Sequence, residues 1–403
     1  MKILILSVEH DNYSTRRLKE EIEKRKEKYE VINPTDLYAY ISSDIRGYDR
    51  AYRKTKDESE RIKSKEFDAI IPRVSGSTFQ HALMVVKQFT ENMRKFSTAY
   101  EPGLRVCSNK LTTCQILSKE GIRVPKQVLA HQPTDYGELI EMVGGLPCVG
   151  KLQSGSLGVG VFILNDELAA STSLRSFEKL GANVILQQFI DTGEPKNDIR
   201  IIVIGCWEDE PKIFAYKRYA LDSDFRSNYS ISKKGEKVEI TKEEKEMAIN
   251  ASKALDLNVS GVDIMRDHND KDKPYIIEVN GNPGLSGIEK ITGEDVAGAI
   301  IDFVIRNFKK KRHVSQLKGS LYNIERDAVS IVDLKYAIGR SKQYYKLYLD
   351  LRAGETQKYI EHAISLFKMY DRIEKELEAT GEFDDVTLGQ IERYKNDTNY
   401  NLI

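Results

Sequence analysis

The chain has 403 residues, room for two or three domains, and 40% hydrophobic with 31% charged residues is an ordinary balance for a soluble globular protein. Its 62 basic residues offset 62 acidic ones, so there is no bulk attraction to nucleic acid or an anionic membrane. No apolar run approaches the roughly 20 residues that span a bilayer. Cys107, Cys114, Cys148 and Cys206 lack metal-ligand spacing and read as reduced, mostly buried thiols of a cytoplasmic protein. In that compartment the sequons at Asn12 and Asn228 are chance matches.

The first expected element is a buried strand from Met1 to Ser7; Glu9 and Asp11 follow its apolar residues too closely for a signal peptide. A charged helix is expected over Arg16 to Tyr29, with Leu18 and Ile22 on one face, then strands at Glu30 to Ile32 and Phe67 to Pro72 and a helix from Phe79 to Phe96. This alternation favours a parallel sheet. Ser7 to Asn12 lacks the glycines of a dinucleotide-binding fingerprint. Ser108 is a candidate N-cap for a helix over Asn109 to Glu120, with Gly121 as its stop and Pro125 beyond. Strands follow at Cys148–Leu152, Gly160–Leu164 and Val184–Phe189, then a hairpin of Ile199–Gly205 and Lys212–Tyr219. A helix over Lys242–Leu255, a strand over Val259–Arg266 and a helix over Asp295–Asn307 complete an α+β region of mostly antiparallel sheets. From the basic run Lys309–Arg312 onward, apolar residues recur at helical spacing and tyrosines are frequent, so a folded helical region is expected over 309–403.

The strongest chemical signal is Glu278-Val279-Asn280, with Asp263 one hairpin upstream. Residues i and i+2 of a strand share a face, so Glu278 and Asn280 project together and a hairpin places Asp263 beside them. Two carboxylates and an amide suit a hard divalent ion such as Mg²⁺, which usually shares its shell with substrate phosphates. The small-residue loop Gly155-Ser156-Leu157-Gly158 joins two strands and lets backbone N–H groups approach phosphate, though an ordinary hairpin turn has the same composition. It lacks a Walker A ending. Lys151 beside it, and Lys110 at a helix start, are candidate phosphate ligands; solvent-exposed lysine is the alternative for Lys110. Gln188 and Phe189 end a strand that can offer backbone groups to an adenine, or simply pack as core. Asp198 and Arg200 share a strand face, as ribose and phosphate contacts or as a surface ion pair. Arg226, followed by Ser227 and Asn228, offers a guanidinium fork for phosphate.

Together these segments resemble the RimK family of ATP-grasp ligases. Ile71-Pro72-Arg73, Met142 to Gly145, Lys151, Gly155 to Gly160, Asp198 to Arg200, Asp224 to Asn228, Gly261 to Ile264, Glu278 to Asn280 and Pro283 to Lys290 occur in family order within residues 1–308. The resemblance implies an α/β and α+β ATP-grasp fold: an N-terminal Rossmann-like pre-ATP-grasp domain over 1–97, an ATP-grasp domain of two subdomains over 98–308, and the helical extension over 309–403. It implies metal ligation by Asp263, Glu278 and Asn280, with two Mg²⁺ ions for which Mn²⁺ can substitute. Lys110, Lys151 and Arg226 then bind the ATP phosphates, under the loop of Gly155, Ser156 and Gly158, with Ser227 and Asn228 also in the ATP site. Gln188 and Phe189 form the adenine hinge, Asp198 faces the ribose, and Arg73 and Asn282 bind substrate.

The implied reaction activates a carboxylate as its acyl phosphate for attack by an amine, with Lys151, Arg200 and Arg226 stabilising the transferred phosphoryl group. A known member adds glutamate to the C-terminus of ribosomal protein S-six. A homo-oligomer acting on a protein or peptide acceptor is the expectation. Two alternatives stand beside it: a ligase for a small molecule or carrier peptide, and an ATP-binding interaction protein with weak catalysis. The chain departs from the family pattern at Gln188, where glutamate is usual, at Ser230 to Lys233, near the family's acceptor site, and in its C-terminal extension.

Overall fold

The computed structural model describes residues 1–41, 50–55, 58–63, 66–93, 95–130, 135–152, 160–221 and 234–316. The expected helical extension beyond 316 lies outside the described residues, as do residues 153–159 and 222–233. No helix among the described residues is long and apolar enough to cross a membrane.

The N-terminal sheet is built on β1 (Lys2–Ser7). Helix α1 (Tyr13–Lys24) leads to β2 (Lys28–Ile32), parallel to one side of β1. A small antiparallel sheet of β3 (Leu37–Ala39), β4 (Ala51–Lys54) and β5 (Ser59–Ile62) intervenes, which the sequence pattern did not announce. Next, β6 (Ala69–Arg73) pairs parallel with the other side of β1; helix α2 (Phe79–Lys87) and β7 (Phe96–Ser97), parallel to β6, complete the unit. Ile3 and Ile5 pack with Leu18 and Ile22, whereas Leu4 and Leu6 pack with Leu83, Val86 and Phe89. A strand buried on both faces is the condition for an all-parallel sheet, and each such side chain contributes about 1.5–3 kcal/mol of burial.

Several helix boundaries differ from expectation. α1 starts at Tyr13 because the Asn12 side chain accepts from the Thr15 N–H at 2.9 Å, and it stops before Lys26, whose φ of 57° turns the chain into β2. The expected helix over Phe79–Phe96 ends at Lys87, then widens into a π-type turn, Gln88–Asn92, where buried Gln88 donates to the Arg50 carbonyl at 2.6 Å. Ser108 is not an N-cap. It closes α3 (Glu101–Cys107), and Asn109 caps α4 (Lys110–Lys119) by accepting from the Thr112 N–H at 3.1 Å.

The second sheet is antiparallel, in the order β10–β9–β11–β8, with β8 (Gln127–Leu129), β9 (Cys148–Leu152), β10 (Val161–Leu164) and β11 (Val184–Gln188). Helices α5 (Tyr136–Met142) and α6 (Glu167–Lys179) cover it through Tyr136, Ile140, Leu174 and Leu186. The Phe162 ring sits against Gly150, where a Cβ would stand 2.3 Å from it, so a larger residue would push the ring aside.

The third sheet has the order β14–β13–β12–β15–β16. Its strands are β12 (Asn197–Ile204), β13 (Lys212–Tyr219), β14 (Gly235–Lys237), β15 (Val259–Asp267) and β16 (Lys273–Asn280), all paired antiparallel. α7 (Lys242–Ala254) begins with a Thr241/Glu244 capping box. Ile199, Ile201 and Val203 pack beneath α7, while Ile202 and Ile204 meet the closing helix α9 (Val296–Gln316), which also reaches the β1 sheet. α9 runs a further nine residues past the expected end at Asn307. A short helix, α8 (Ser286–Thr292), precedes it. Between Asp263 and Ile264 the β15–β16 pairing shifts: Asp263 faces Glu278, Ile264 faces Ile276, and Ile277 is the bulged residue.

Candidate active site

The Arg200 guanidinium grips Asp263 in two parallel bonds of 2.6 Å, because β12 places Arg200 directly opposite Asp263 on β15. On the other side of β12, Asp198 stands opposite Arg218 of β13 and receives two bonds of 2.6 and 2.5 Å. Arg218 also reaches Asp263 at 3.0 Å, closing a quartet of two arginines and two aspartates in which all but the half-buried Arg200 are buried. Asp198 and Arg200 thus share a strand face as expected, but each binds a cross-strand partner rather than a surface mate. Arg218, 2% exposed, is a residue the sequence reading missed. Burial pulls the Asp263 carboxyl upward, yet Arg200 and Arg218 outweigh it and hold it below its usual value.

Next to the quartet, β16 presents Glu278 and Asn280, with Asp263 and Glu278 directly paired across the hairpin. Asn280 Nδ2 is buried without a hydrogen-bond partner. A carboxylate offers about four acceptor sites; Asp263 uses one on Oδ1 and two on Oδ2, so an Oδ1 site is left. Among the described residues no three His, Cys, Asp or Glu side chains gather as a cation site. Two carboxylates and the amide oxygen of Asn280 are a donor set compatible with a hard divalent cation, whereas the unpartnered Nδ2 is a donor that calls for an acceptor such as a phosphate oxygen.

Lys151 comes from β9, in the second sheet. It is 7% exposed and donates to Gln187 Oε1 at 2.7 Å, a neutral partner that also accepts from Gln127 at 3.2 Å. Burial drives its pKa down to about 8, opposed by the nearby charges of Glu278 and Asp263, while Lys110 pushes the same way as burial. These couplings place Lys110 and Lys151 around the carboxylates of the third sheet. Cys107 is another neighbour: burial and Glu278 push its thiol up to about 12, despite a bond from the Gly281 backbone, so it is a poor nucleophile at neutral pH.

At the end of β11, Gln188 pairs with the segment before β8 through its backbone N–H to Lys126 O (2.9 Å) and its side-chain Oε1, which accepts from Lys126 N (3.2 Å). That role needs only an acceptor, so Gln in place of Glu is accommodated. Phe189 follows, half-buried, with the Lys196 ammonium 5.7 Å from its ring. Arg73, at the carboxyl end of β6, donates to Pro283 O at 2.9 Å; its Nε is buried and unpartnered, and burial lowers its pKa to about 10. Asn282 donates to Val74 O at 3.2 Å and leaves Oδ1 buried and unpartnered. Gly155, Ser156, Gly158, Arg226, Ser227 and Asn228 lie outside the described residues.

Fold and cleft together define an ATP-grasp enzyme, and comparison with known proteins narrows the class. Residues 1–101 match the family model of the RimK PreATP-grasp domain, and residues 107–304 that of the RimK-like ATP-grasp domain. A relative from Shewanella baltica, "Probable alpha-L-glutamate ligase 2", is 38% identical over 322 residues, 79% of this chain and 100% of its own. The Chryseobacterium gregarium RiPP-associated ATP-grasp ligase, solved in complex with ADP and a leader and core peptide, aligns with a TM-score of 0.58 at 17% identity, over 76% of this chain and 96% of that one. The ATP-grasp ligase PsnB, complexed with minimal precursor, Mg and ADP, aligns with a TM-score of 0.56 at 15% identity, over 76% of this chain and 98% of that one. The chain belongs to the RimK family of ATP-grasp ligases and is an ATP-using ligase.

Proposed function

We propose that this enzyme joins the amino group of glutamate to the C-terminal carboxylate of a polypeptide such as ribosomal protein S-six, with ADP and phosphate as products. The observation that carries this reading is the buried Lys151, hydrogen-bonded to a neutral amide and facing Asp263 and Glu278. A desolvated ammonium beside a carboxylate–amide set is what the β- and γ-phosphates of a metal-bound nucleotide require. Glutamate as the amine follows from the name of the Shewanella relative.

In the first step a carboxylate oxygen attacks the γ-phosphorus, the β–γ bridging bond breaks, and ADP leaves. The amine then attacks the acyl phosphate, loses a proton, and expels phosphate as the amide forms. Lys110 and Lys151 hold the phosphates, with Gly155, Ser156 and Gly158 covering them. Arg200 and Arg226 offset the charge on the phosphoryl group in flight, Ser227 and Asn228 flank it, and Lys151 serves both phases. Gln188 and Phe189 seat the adenine, and Asp198 the ribose. Asp263, Glu278 and Asn280 would hold one or two Mg²⁺ ions, or Mn²⁺, which supply Lewis-acid neutralisation of phosphate charge. Arg73 and Asn282 bind a substrate carboxylate and its neighbour. The enzyme works in the cytoplasm, as a homo-oligomer.

A second reading, ligation on a carrier peptide, is favoured by the solved neighbours that hold precursor peptides. Incubation with ATP, Mg²⁺, radiolabelled glutamate and a cell lysate separates the two. One labelled protein band with ADP release is the expected result. Label confined to small peptides supports the second reading, and AMP with pyrophosphate refutes the acyl-phosphate route.

A further inference from the structure

Glu289 belongs to the Gly287–Lys290 segment singled out in the sequence, yet no step above uses it. It is 7% exposed and lies one turn into α8. Its Oε2 accepts from Tyr13 OH at 3.0 Å and Arg17 Nε at 3.0 Å, both on α1; its Oε1 accepts from Ala297 N at 2.8 Å, in the first turn of α9. One carboxylate therefore ties α8 to an N-terminal-domain helix and to the closing helix. Arg17 reinforces the tie by also reaching Asp295 at 2.9 Å.

What α8 carries gives the tie its meaning. The segment 281–285 joins β16 to α8 and is fastened to the N-terminal domain three more times. Leu285 N donates to Ser14 Oγ at 3.0 Å, Arg73 to Pro283 O at 2.9 Å, and Asn282 to Val74 O at 3.2 Å. Arg73 Nε and Asn282 Oδ1, a donor and an acceptor, stay buried and unpartnered within this fastening. Had packing been the only need, an apolar side chain of similar volume would fill the position without desolvating a charge. A buried carboxylate with three directional bonds to two other elements fixes position instead.

We propose that Glu289 is the positioning residue that sets the 281–285 segment against the N-terminal domain, holding Arg73 and Asn282 in the spacing that binds the amino-acid substrate. It touches neither nucleotide nor substrate, so its effect falls on amino-acid affinity and leaves ATP affinity alone. The assignment of Arg73 and Asn282 to substrate rests on the function proposed above.

The test uses the full chain with E289Q and the milder Tyr13→Phe, which removes one hydroxyl and no charge. The KM for L-glutamate is expected to rise about tenfold in E289Q and about threefold in Tyr13→Phe, with the KM for ATP within about twofold. Hydrogen–deuterium exchange is expected to quicken in 281–285 and at the start of α1, and to stay unchanged in β9 and β11. Equal rises in both KM values, or unchanged exchange in 281–285, overturn the proposal. If the parent enzyme does not use glutamate, the function proposed above fails instead, and the exchange of 281–285 still decides whether Glu289 positions it.

Discussion

The second and third sheets bury positive charge in opposite ways. In the third, Arg200 and Arg218 are matched by Asp198 and Asp263, and the quartet is neutral before any ligand arrives. In the second, Lys151 is equally buried, but its bonded partner is the uncharged Gln187, and burial brings its pKa to about 8. One sheet holds a self-balanced ionic core and the other a cation short of a counter-ion. Burial alone does not say whether a charge awaits a ligand; whether it is already compensated does, and a compensated group such as Asp263 can be asked to hold the fold and serve the proposed site at once.

Substitutions on the two sheets should therefore separate activity from stability. The largest effect falls on turnover: Glu278→Gln and Asp263→Asn should each lower ATP-dependent ligation at least about a hundredfold, measured by ADP release, since an amide is a poor ligand for a hard cation. Only Asp263→Asn should also destabilise the fold, because it leaves two arginines with one carboxylate. Equal urea midpoints for the two variants would break the comparison. Arg218→Met comes next, with a loss of about 3–5 kcal/mol in urea unfolding, the cost of stranding Asp198. Lys151→Met should do the reverse, losing ATP affinity while leaving the nucleotide-free protein as stable or more so at neutral pH.

The same contrast predicts a pH dependence. Between about pH 8 and the ordinary lysine value of 10.5, the unfolded chain carries a proton on Lys151 that the folded protein does not. Stability of the nucleotide-free protein should then rise with pH through that window, by about 3 kcal/mol, and Lys151→Met should flatten the rise. ATP affinity should fall over the same window, as the ammonium that meets phosphate is lost. The smallest effect is reserved for Gln188→Glu, expected to change the KM for ATP by less than about threefold. Either side chain can accept the Lys126 N–H, and a larger change would show that the missing charge matters at the hinge.

Much of this cleft was legible in the sequence because strand alternation is rigid. Glu278 and Asn280 had to share a face, and the hairpin had to bring Asp263 beside Glu278. Arg218 was legible too, had the recognised hairpin been counted back from its turn to the position opposite Asp198. Other features were not. The π-type turn at Gln88 depends on the Arg50 carbonyl, far away in the chain, and local periodicity carries no trace of that contact. The hydrogen bond of Lys151 to Gln187 depends on two strands meeting across a sheet, and a lone lysine beside a small-residue loop looks the same whether it ends up in solvent or buried.

The bulge at Ile277 bears on how this hairpin can change length. Ile276 and Val279 lie three residues apart yet pack into the same core, which strict alternation forbids and the extra residue permits. Deleting Ile277 would make the ladder regular while keeping Glu278 opposite Asp263 and Asn280 opposite Gly261, with Ile276 and Val279 still on the core face. The face on which Glu278 and Asn280 stand is thus fixed by their pairing with β15, not by the residue count up to the bulge. A one-residue change at the bulge is therefore absorbed, whereas an insertion between Glu278 and Asn280 would put these two side chains on opposite faces.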